Sequence, residues 1–187
     1  MRSRETLDQS NLSDPGATYK DLELRYCEPH RHFHTLTGLA QCLDLLLQSR
    51  NDSPVLRVAI YYHDIVYGTH RQDNESASAE LAGEQLAKLG CPATRRKEIC
   101  SLILATSHLD NAQAVSKIAH VLCDIDLAIL GSPLDDYDLY AKQIRCEYDW
   151  VSSEEFHAGR SVPSSSGSTS IARRKFARAL RDTPAPI

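Results

Sequence analysis

Apolar residues recur at helical spacing over most of this chain, and this periodicity is the strongest constraint on its fold. The clearest apolar stripe consists of Leu36, Leu39, Leu43, Leu46 and Leu47. Residues at this spacing share one face of an α-helix. No segment shows the persuasive alternation of apolar and polar residues that a half-buried strand would require, and no internal repeat is found. The sequence therefore predicts an all-α fold.

Prolines, glycines and small polar residues predict where individual helices begin and end. Ser53 and Pro54 predict a helix that runs to about residue 66, because serine is a good N-cap and proline suits the first turn. A second helix is expected to begin near residue 74 and to end at Gly90. Similar signals predict three further helices, over about residues 92–106, 115–130 and 133–157.

The composition of the chain predicts one helical domain between two tails. Residues 1–17 are polar and contain an Asp-Pro-Gly turn signal, so we expect a flexible N-terminal tail. Residues 18–160 have a suitable length for a single domain with one hydrophobic core. Residues 161–187 begin with the low-complexity stretch SVPSSSGSTS, which predicts a Ser-rich linker, and close with the short basic helix IARRKFARALR.

Charge and hydropathy exclude several classes of function. The net charge of −4 gives no electrostatic support for binding a nucleic acid duplex. No run approaches the ~18 apolar residues of a membrane helix, and the N-terminus lacks the apolar region of a secretory signal. The six cysteines form no CxxC pair and are interpreted as reduced thiols. We therefore expect a cytoplasmic protein that acts without a membrane or a nucleic acid duplex.

A histidine and an aspartate stand side by side in the apolar run AIYYHDIVYG, residues 59–68. On a helix, His63 and Asp64 would both point partly inward, where ionisable groups are costly unless they are satisfied. A neutral imidazole and a carboxylate are ordinary ligands for a divalent metal ion. The alternatives are a buried hydrogen bond between the two side chains, or an aspartate that caps a neighbouring helix.

A second acidic candidate lies in the stretch CDIDLAILG, residues 123–131. The helical neighbours of Asp126 are all apolar, and a carboxylate so enclosed needs a cation or hydrogen-bond donors. Asp124 has a more polar set of neighbours and points away from Asp126 on a helix. Asp126 is therefore the candidate metal ligand, and its alternative role is a hydrogen bond to a backbone amide.

The stretch EPHRHFHTLTGL, residues 28–39, holds three histidines and one arginine within five residues. His30 and His34 would share a face of a helix. Arg31 offers a planar guanidinium that suits phosphate oxygens, so it is a candidate for substrate binding. Lesser candidates lie in two loops that follow helices: Asp73, Asn74, Glu75 and His108.

Taken in order, these motifs resemble the HD-domain superfamily, and more closely its branch of predicted metal-dependent HD phosphohydrolases. The shared features are EPHRHFHTL, YYHDIVY, the DNE and SA of DNESASA, ILATSH, DIDLAILG, a Tyr-rich pattern over 137–148 that ends in IR.EY, and F.AGR. The resemblance covers about residues 20–160 and reappears near ARRKFARAL. It implies an HD-domain helical bundle with a bound divalent metal ion, for which Mn, Fe, Co, Ni, Zn and Mg are all candidates.

The resemblance implies a metal site made by His63, Asp64 and Asp126, with His34 as a further ligand or as a catalytic acid. Related proteins carry two histidines four residues apart, and this chain has His34 at the first position but Gly38 at the second. Either His34 takes over as the ligand, or water fills the vacancy, or the metal binds weakly. A second departure is the segment VPSSSGSTS after Arg160, where the branch continues with an apolar helical segment.

The expected function is hydrolysis of a phosphate ester in a nucleotide or another small phosphorylated metabolite. Asp64 or Asp126 would ligate the metal and orient the attacking water, and His34, or else His108, would protonate the leaving oxygen. Arg31, His108 and Glu75 are the candidates for contacts with the substrate. The alternative is a catalytically weakened relative that binds a nucleotide or a partner without turnover.

Overall fold

The structure, a computed structural model, describes residues 14–107 and 116–160. In these residues it contains α-helices and no strand, so the predicted all-α fold is confirmed. The eight α-helices are α1 Pro15–Tyr26, α2 Leu36–Gln48, α3 Pro54–Tyr62, α4 Asn74–Lys88, α5 Ala93–Ala105, α6 Lys117–Asp126, α7 Leu134–Glu147 and α8 Ser153–Arg160, with a 3-10 helix at Ala128–Gly131. The candidate His108 and the predicted C-terminal linker and helix over 161–187 lie outside the described residues.

The first helix begins earlier than the sequence predicts. α1 starts at Pro15, so the prediction of a loose tail through residue 17 is wrong for its last residues. The Asp-Pro-Gly stretch caps a helix instead of forming a free turn. The side chain of Asp14 accepts a hydrogen bond from the backbone N–H of Gly16, and proline occupies the first turn.

The third helix ends at Tyr62, before the predicted end near residue 66, so the aspartate of the HD pair is not helical. The backbone beyond this point bonds to a distant side chain instead of continuing the helix. The carbonyl oxygens of Asp64 and Ile65 accept hydrogen bonds of 2.7 and 3.0 Å from the guanidinium of Arg31. These tertiary bonds satisfy carbonyls that a longer helix would have used.

Two buried polar residues of α4 hold the rest of this loop. Ser78 accepts from the N–H of Val66 at 3.1 Å and donates to its carbonyl at 3.3 Å. The amide of Asn74 makes the corresponding pair of 3.1 Å hydrogen bonds with the backbone of Gly68. The loop after the HD pair is therefore fixed by side chains that belong to the DNESASA stretch.

The predicted long helix over 133–157 is two helices. α7 ends at Glu147, and the irregular segment that follows is held by Arg145. The guanidinium of Arg145 donates to the carbonyl oxygens of Tyr148 and Val151.

The expectation of a helix through His30 and His34 is also wrong, because residues 27–35 are irregular.

The core forms where α2 to α6 meet, with α4 packed on α5 and α5 packed on α3. Its fully buried apolar side chains include Leu46, Leu56, Ile60, Ile103 and Leu122. A smaller apolar cluster joins α7 to the segment after it and to α8. Its buried side chains are Ile144, Val151 and Phe156. Among the described helices, none is both long and apolar enough to cross a membrane.

Leu46 and Leu47 provide a matched test of this core, because they are adjacent on α2 and differ in burial. Leu46 is 1% exposed and Leu47 is 61% exposed. We expect Leu46→Ala to lower the free energy of unfolding by about 2–5 kcal/mol, because it leaves a cavity. Leu47→Ala should change it by less than about 0.5 kcal/mol. Urea denaturation measures both, and equal effects would contradict the position of α2.

Candidate metal centre

Three side chains from two distant parts of the chain converge on one point. His63 follows the last residue of α3, Asp64 comes next, and Asp126 is the last residue of α6. The Nε2 atom of His63 lies 3.1 Å from Oδ2 of Asp64 and 3.7 Å from Oδ1 of Asp126. One ligand atom from each residue lies within 4.8 Å of the other two.

The ring of His63 is oriented by its other nitrogen. Nδ1 lies 2.7 Å from the carbonyl oxygen of Ile60, to which it can only donate, so Nδ1 carries a proton. Nε2 therefore faces the two carboxylates. Burial lowers the pKa of His63, but the carboxylates of Asp64 and Asp126 prevail and raise it to about 10. The cluster favours positive charge at Nε2 because two acids meet there.

Asp64 shows the reciprocal effect. Burial alone would raise its pKa, but the charges of His63, His34 and Arg31 and a hydrogen bond from His63 hold it below its usual range. The carboxylate of Asp64 is therefore ionised at neutral pH, as a metal ligand must be.

The three donors fit a divalent metal ion. Nitrogen and oxygen ligands bind such an ion at about 2.0–2.2 Å, so neighbouring ligand atoms lie roughly 3–3.5 Å apart. The two distances from Nε2 of His63 are close to this range. The cluster of His63, Asp64 and Asp126 could therefore hold one ion, and its mixed imidazole and carboxylate chemistry suits several divalent metals.

His34 lies beside this cluster. Its Nε2 is 4.0 Å from Oδ2 of Asp64, and its Nδ1 is 2.8 Å from Oε2 of Glu147. The ring stacks on Tyr67 with 4.0 Å between the ring centroids. Burial lowers the pKa of His34, but the carboxylate of Glu147 outweighs this and the pKa is raised. The structure thus places His34 at the edge of the cluster with one nitrogen toward it.

Glu147, the last residue of α7, was not among the predicted site residues. Its carboxylate is fully buried, and Oε1 accepts hydrogen bonds of 2.7–3.0 Å from the backbone N–H groups of His32, Phe33 and His34. Oε2 accepts from the hydroxyl of Tyr67 at 2.7 Å. Burial would raise the pKa of Glu147, but the charge of His34 and these hydrogen bonds lower it to about 2.

Arg31 lies behind the cluster, where its guanidinium is fully buried. One nitrogen donates to the carbonyl oxygens of both His34 and Asp64, at 3.3 and 2.7 Å. The guanidinium also lies 5.2 Å from the ring centroid of Tyr26 and 5.4 Å from that of Tyr67. This arrangement favours a structural role for Arg31, because its donors connect the two chain segments of the site and its side chain does not line the cavity described below.

The remaining candidates lie apart from the cluster. Glu75 is half-buried in the first turn of α4 and does not line the cavity described below. His30 is exposed, and its Nε2 lies 2.9 Å from the carbonyl oxygen of Tyr67. His32 is exposed and contributes its backbone N–H to Glu147.

A cavity of about 410 Å³ opens beside the cluster of His63, Asp64 and Asp126. His34, His63, Asp64 and Asp126 are among the residues that line it. Its other walls come from the loop before α2, from α2, from the 3-10 helix and from α7, and they include Phe33, Gln41, Asp44, Asp136, Tyr140 and Gln143. The phenyl ring of Phe33 packs edge-on against that of Tyr140, with 4.7 Å between centroids. The volume suits a small organic ligand.

Gly38 also lines the cavity, but the backbone leaves no room for a side chain there. A Cβ at this position would lie 2.7 Å from the carbonyl oxygen of Phe33. A histidine at position 38 would therefore force the backbone of residues 33–38 to move. This geometry does not support the view that position 38 is a vacant ligand position at which a histidine could bind the metal.

We expect Gly38→Ala to lower the free energy of unfolding by about 1–3 kcal/mol, because the added Cβ overlaps a backbone atom that cannot rotate away. Gly83→Ala is the matched control, since its Cβ would be at an ordinary 3.4 Å from the thiol of Cys100. Alanine at this helical position should be neutral or stabilising. Thermal and urea denaturation measure both, and a harmless Gly38→Ala would contradict the close approach.

Glu147 predicts a specific dependence of stability on pH. The pKa of Glu147 falls from 4.5 to about 2 on folding, which corresponds to roughly 3 kcal/mol. Because the folded pKa is the lower one, this stabilisation is fully present above about pH 4.5 and is lost as the pH falls toward 2. We expect Glu147→Gln to be less stable than the wild type near neutral pH, and the difference to shrink on acidification. The exposed Glu154→Gln is the control, and a difference that stays constant down to pH 2 would contradict the prediction.

No protein-family model matches this chain, and neither a curated protein nor a solved structure does. The resemblance to HD phosphohydrolases therefore stays a prediction from the motifs. The structure brings His63, Asp64 and Asp126 together in a cluster that could hold a metal ion.

Proposed function

We propose that this protein is a metal-dependent phosphohydrolase that cleaves a phosphate ester of a nucleotide or another small phosphorylated metabolite. The observation that carries the proposal is the meeting of His63, Asp64 and Asp126 in the lining of one cavity, with His34 beside them. A divalent cation at this cluster supplies Lewis acidity toward a phosphoryl oxygen and toward water. The motif series of the HD branch supports the same reaction.

In the proposed reaction, three residues of the chain have separate roles. A carboxylate oxygen of Asp64 accepts a hydrogen bond from the attacking water and orients it. His34 donates a proton to the leaving oxygen, because its Nε2 faces the cluster and a histidine can exchange a proton near neutral pH. Arg31 holds the backbone of both residues in place. This assignment moves Arg31 from substrate binding to positioning.

The cavity favours a substrate with a small organic group. Its volume of about 410 Å³ lies in the range of ordinary small-molecule sites. Phe33 and Tyr140 offer aromatic surface to a base or a sugar, and Gln41 and Gln143 offer amides for its polar groups. The phosphate would lie next to the cluster of His63, Asp64 and Asp126, and the organic group would lie along α2 and α7.

Metal binding is tested with two aspartates of the same helix. Asp126 belongs to the cluster, whereas Asp124 is exposed. We expect Asp126→Asn to weaken Mn²⁺ binding at least about 100-fold, because residues that merely support a metal ligand already contribute 10–100-fold. Asp124→Asn should leave the affinity within about twofold. Calorimetric titration of each folded variant with Mn²⁺ measures this, and equal affinities would remove Asp126 from the site.

Turnover is tested by phosphate release from nucleoside monophosphates and p-nitrophenyl phosphate with Mn²⁺, Co²⁺, Ni²⁺ or Mg²⁺. We expect metal-dependent hydrolysis that is lost in His63→Ala and Asp126→Asn. Tight Mn²⁺ binding without phosphate release would favour the non-catalytic alternative. Absence of both would eliminate the hydrolase proposal and leave a helical scaffold.

A further inference from the structure

We infer that Glu147 is a positioning residue that keeps a proton on Nδ1 of His34, so that proton exchange takes place at Nε2, the nitrogen facing the cluster. The inference rests on the hydrogen bonds around one buried carboxylate. Its chemical consequence rests on the proposed hydrolase activity, whereas its structural part does not.

The carboxylate of Glu147 is held in one orientation by the backbone. Three consecutive N–H groups, those of His32, Phe33 and His34, donate to the same oxygen, Oε1, at 2.7–3.0 Å. A backbone N–H can only donate, so Oε1 must accept. This fixes Oε2 as the atom that meets the side chains of His34 and Tyr67.

The second oxygen determines which nitrogen of His34 carries a proton. Oε2 lies 2.8 Å from Nδ1 of His34 and 2.7 Å from the hydroxyl of Tyr67. An ionised carboxylate has no hydrogen to give, so Nδ1 and the hydroxyl must both donate. Such charge-assisted hydrogen bonds are among the strongest in proteins. In neutral His34 the lone pair therefore lies on Nε2, and in protonated His34 the exchangeable proton does.

The ring of His34 cannot easily turn away from this arrangement. It stacks on Tyr67 with 4.0 Å between ring centroids. It also lies nearly perpendicular to the ring of Phe33, with 5.1 Å between ring centroids. Nε2 is thereby directed toward Oδ2 of Asp64, 4.0 Å away. The groups around the ring are Glu147 on one side, Asp64 on the other and the phenol of Tyr67 against its face.

This assignment matters for the proposed reaction because only one nitrogen of His34 faces the cavity. A general acid must carry its proton on the atom that reaches the leaving group. With Nδ1 committed to Glu147, each proton that His34 gains or loses passes through Nε2. Glu147 would thus act on the reaction through His34, without contact with a substrate.

The variant Glu147→Gln tests this cause because it keeps the shape of the side chain. The three backbone donors still require an oxygen at the Oε1 position, so the amide nitrogen must replace Oε2. An amide NH₂ donates, and Nδ1 of His34 would then have to accept. We therefore expect the variant to reverse the tautomer of His34 and to place the proton on Nε2.

Nitrogen-15 NMR of the histidine rings measures the tautomer directly, with the signals of His34 assigned from a His34→Asn variant. In the wild type, raising the pH should shift Nε2 to its unprotonated position while Nδ1 keeps its proton. In Glu147→Gln, Nδ1 should become the unprotonated nitrogen. A wild-type neutral form with its proton on Nε2, or an unchanged tautomer in the variant, would overturn the inference.

If Glu147→Gln does not fold, the variant Tyr67→Phe still tests which group keeps the proton on Nδ1 of His34. This variant removes the second donor to Oε2 and leaves the carboxylate in place. Retention of the Nδ1 proton supports Glu147 as its cause, and loss of that proton would assign the control to Tyr67 instead.

Kinetics give a further readout if the wild type turns over. We expect Glu147→Gln to lower kcat about 100-fold, because a neutral ring that carries its proton on Nε2 is a far weaker acid than an imidazolium, with KM and Mn²⁺ affinity within about threefold. A loss confined to KM or to Mn²⁺ affinity would indicate a structural role only and overturn the catalytic part. A wild type without turnover would refute the proposed function, while the NMR result still decides the position of the proton.

Discussion

The carboxylate of Glu147 is the interaction on which the arrangement of the site depends. It lies at the end of α7, yet it accepts hydrogen bonds from the loop before α2, more than a hundred residues earlier in the chain. An ionised group with no solvent contact is stable only when its lone pairs are satisfied, and here five donors satisfy them. The same bonds that stabilise the carboxylate determine the path of residues 32–34 and the orientation of His34.

Arg31 complements this role from the opposite side. Its buried guanidinium bonds to the carbonyl oxygen of His34 and to those of Asp64 and Ile65. The N–H groups of the histidine-rich loop are thus bound by an anion, and a carbonyl of the same loop is bound by a cation. The loop has only isolated turn hydrogen bonds, such as that from the N–H of Arg31 to the carbonyl oxygen of Glu28. These two charged side chains therefore add order that a regular helix would provide elsewhere.

The helical character of the chain follows from local patterns, whereas several helix ends do not, and the set of His63, Asp64 and Asp126 came from local signals together with the resemblance. The leucines of α2 recur at helical spacing, and the enclosed position of Asp126 among apolar neighbours indicated a carboxylate in need of a partner. Glu147 belongs to the IR.EY motif of the resemblance, but its role depends on contacts across the whole chain, which no local pattern reveals. The same limitation explains why α3 was predicted too long, since the bonds from Arg31 that replace its next turn come from a distant segment.

The ends of two helices add to the electrostatic character of the candidate metal cluster. His63 directly follows α3, and Asp126 closes α6, so both helices direct their C-terminal ends toward the cluster. The carbonyl groups at such ends carry partial negative charge. Together with the carboxylates of Asp64 and Asp126, they create an electrostatic field that attracts cations and repels anions. A phosphate ester can therefore lie next to this cluster only when a positive charge is bound there as well.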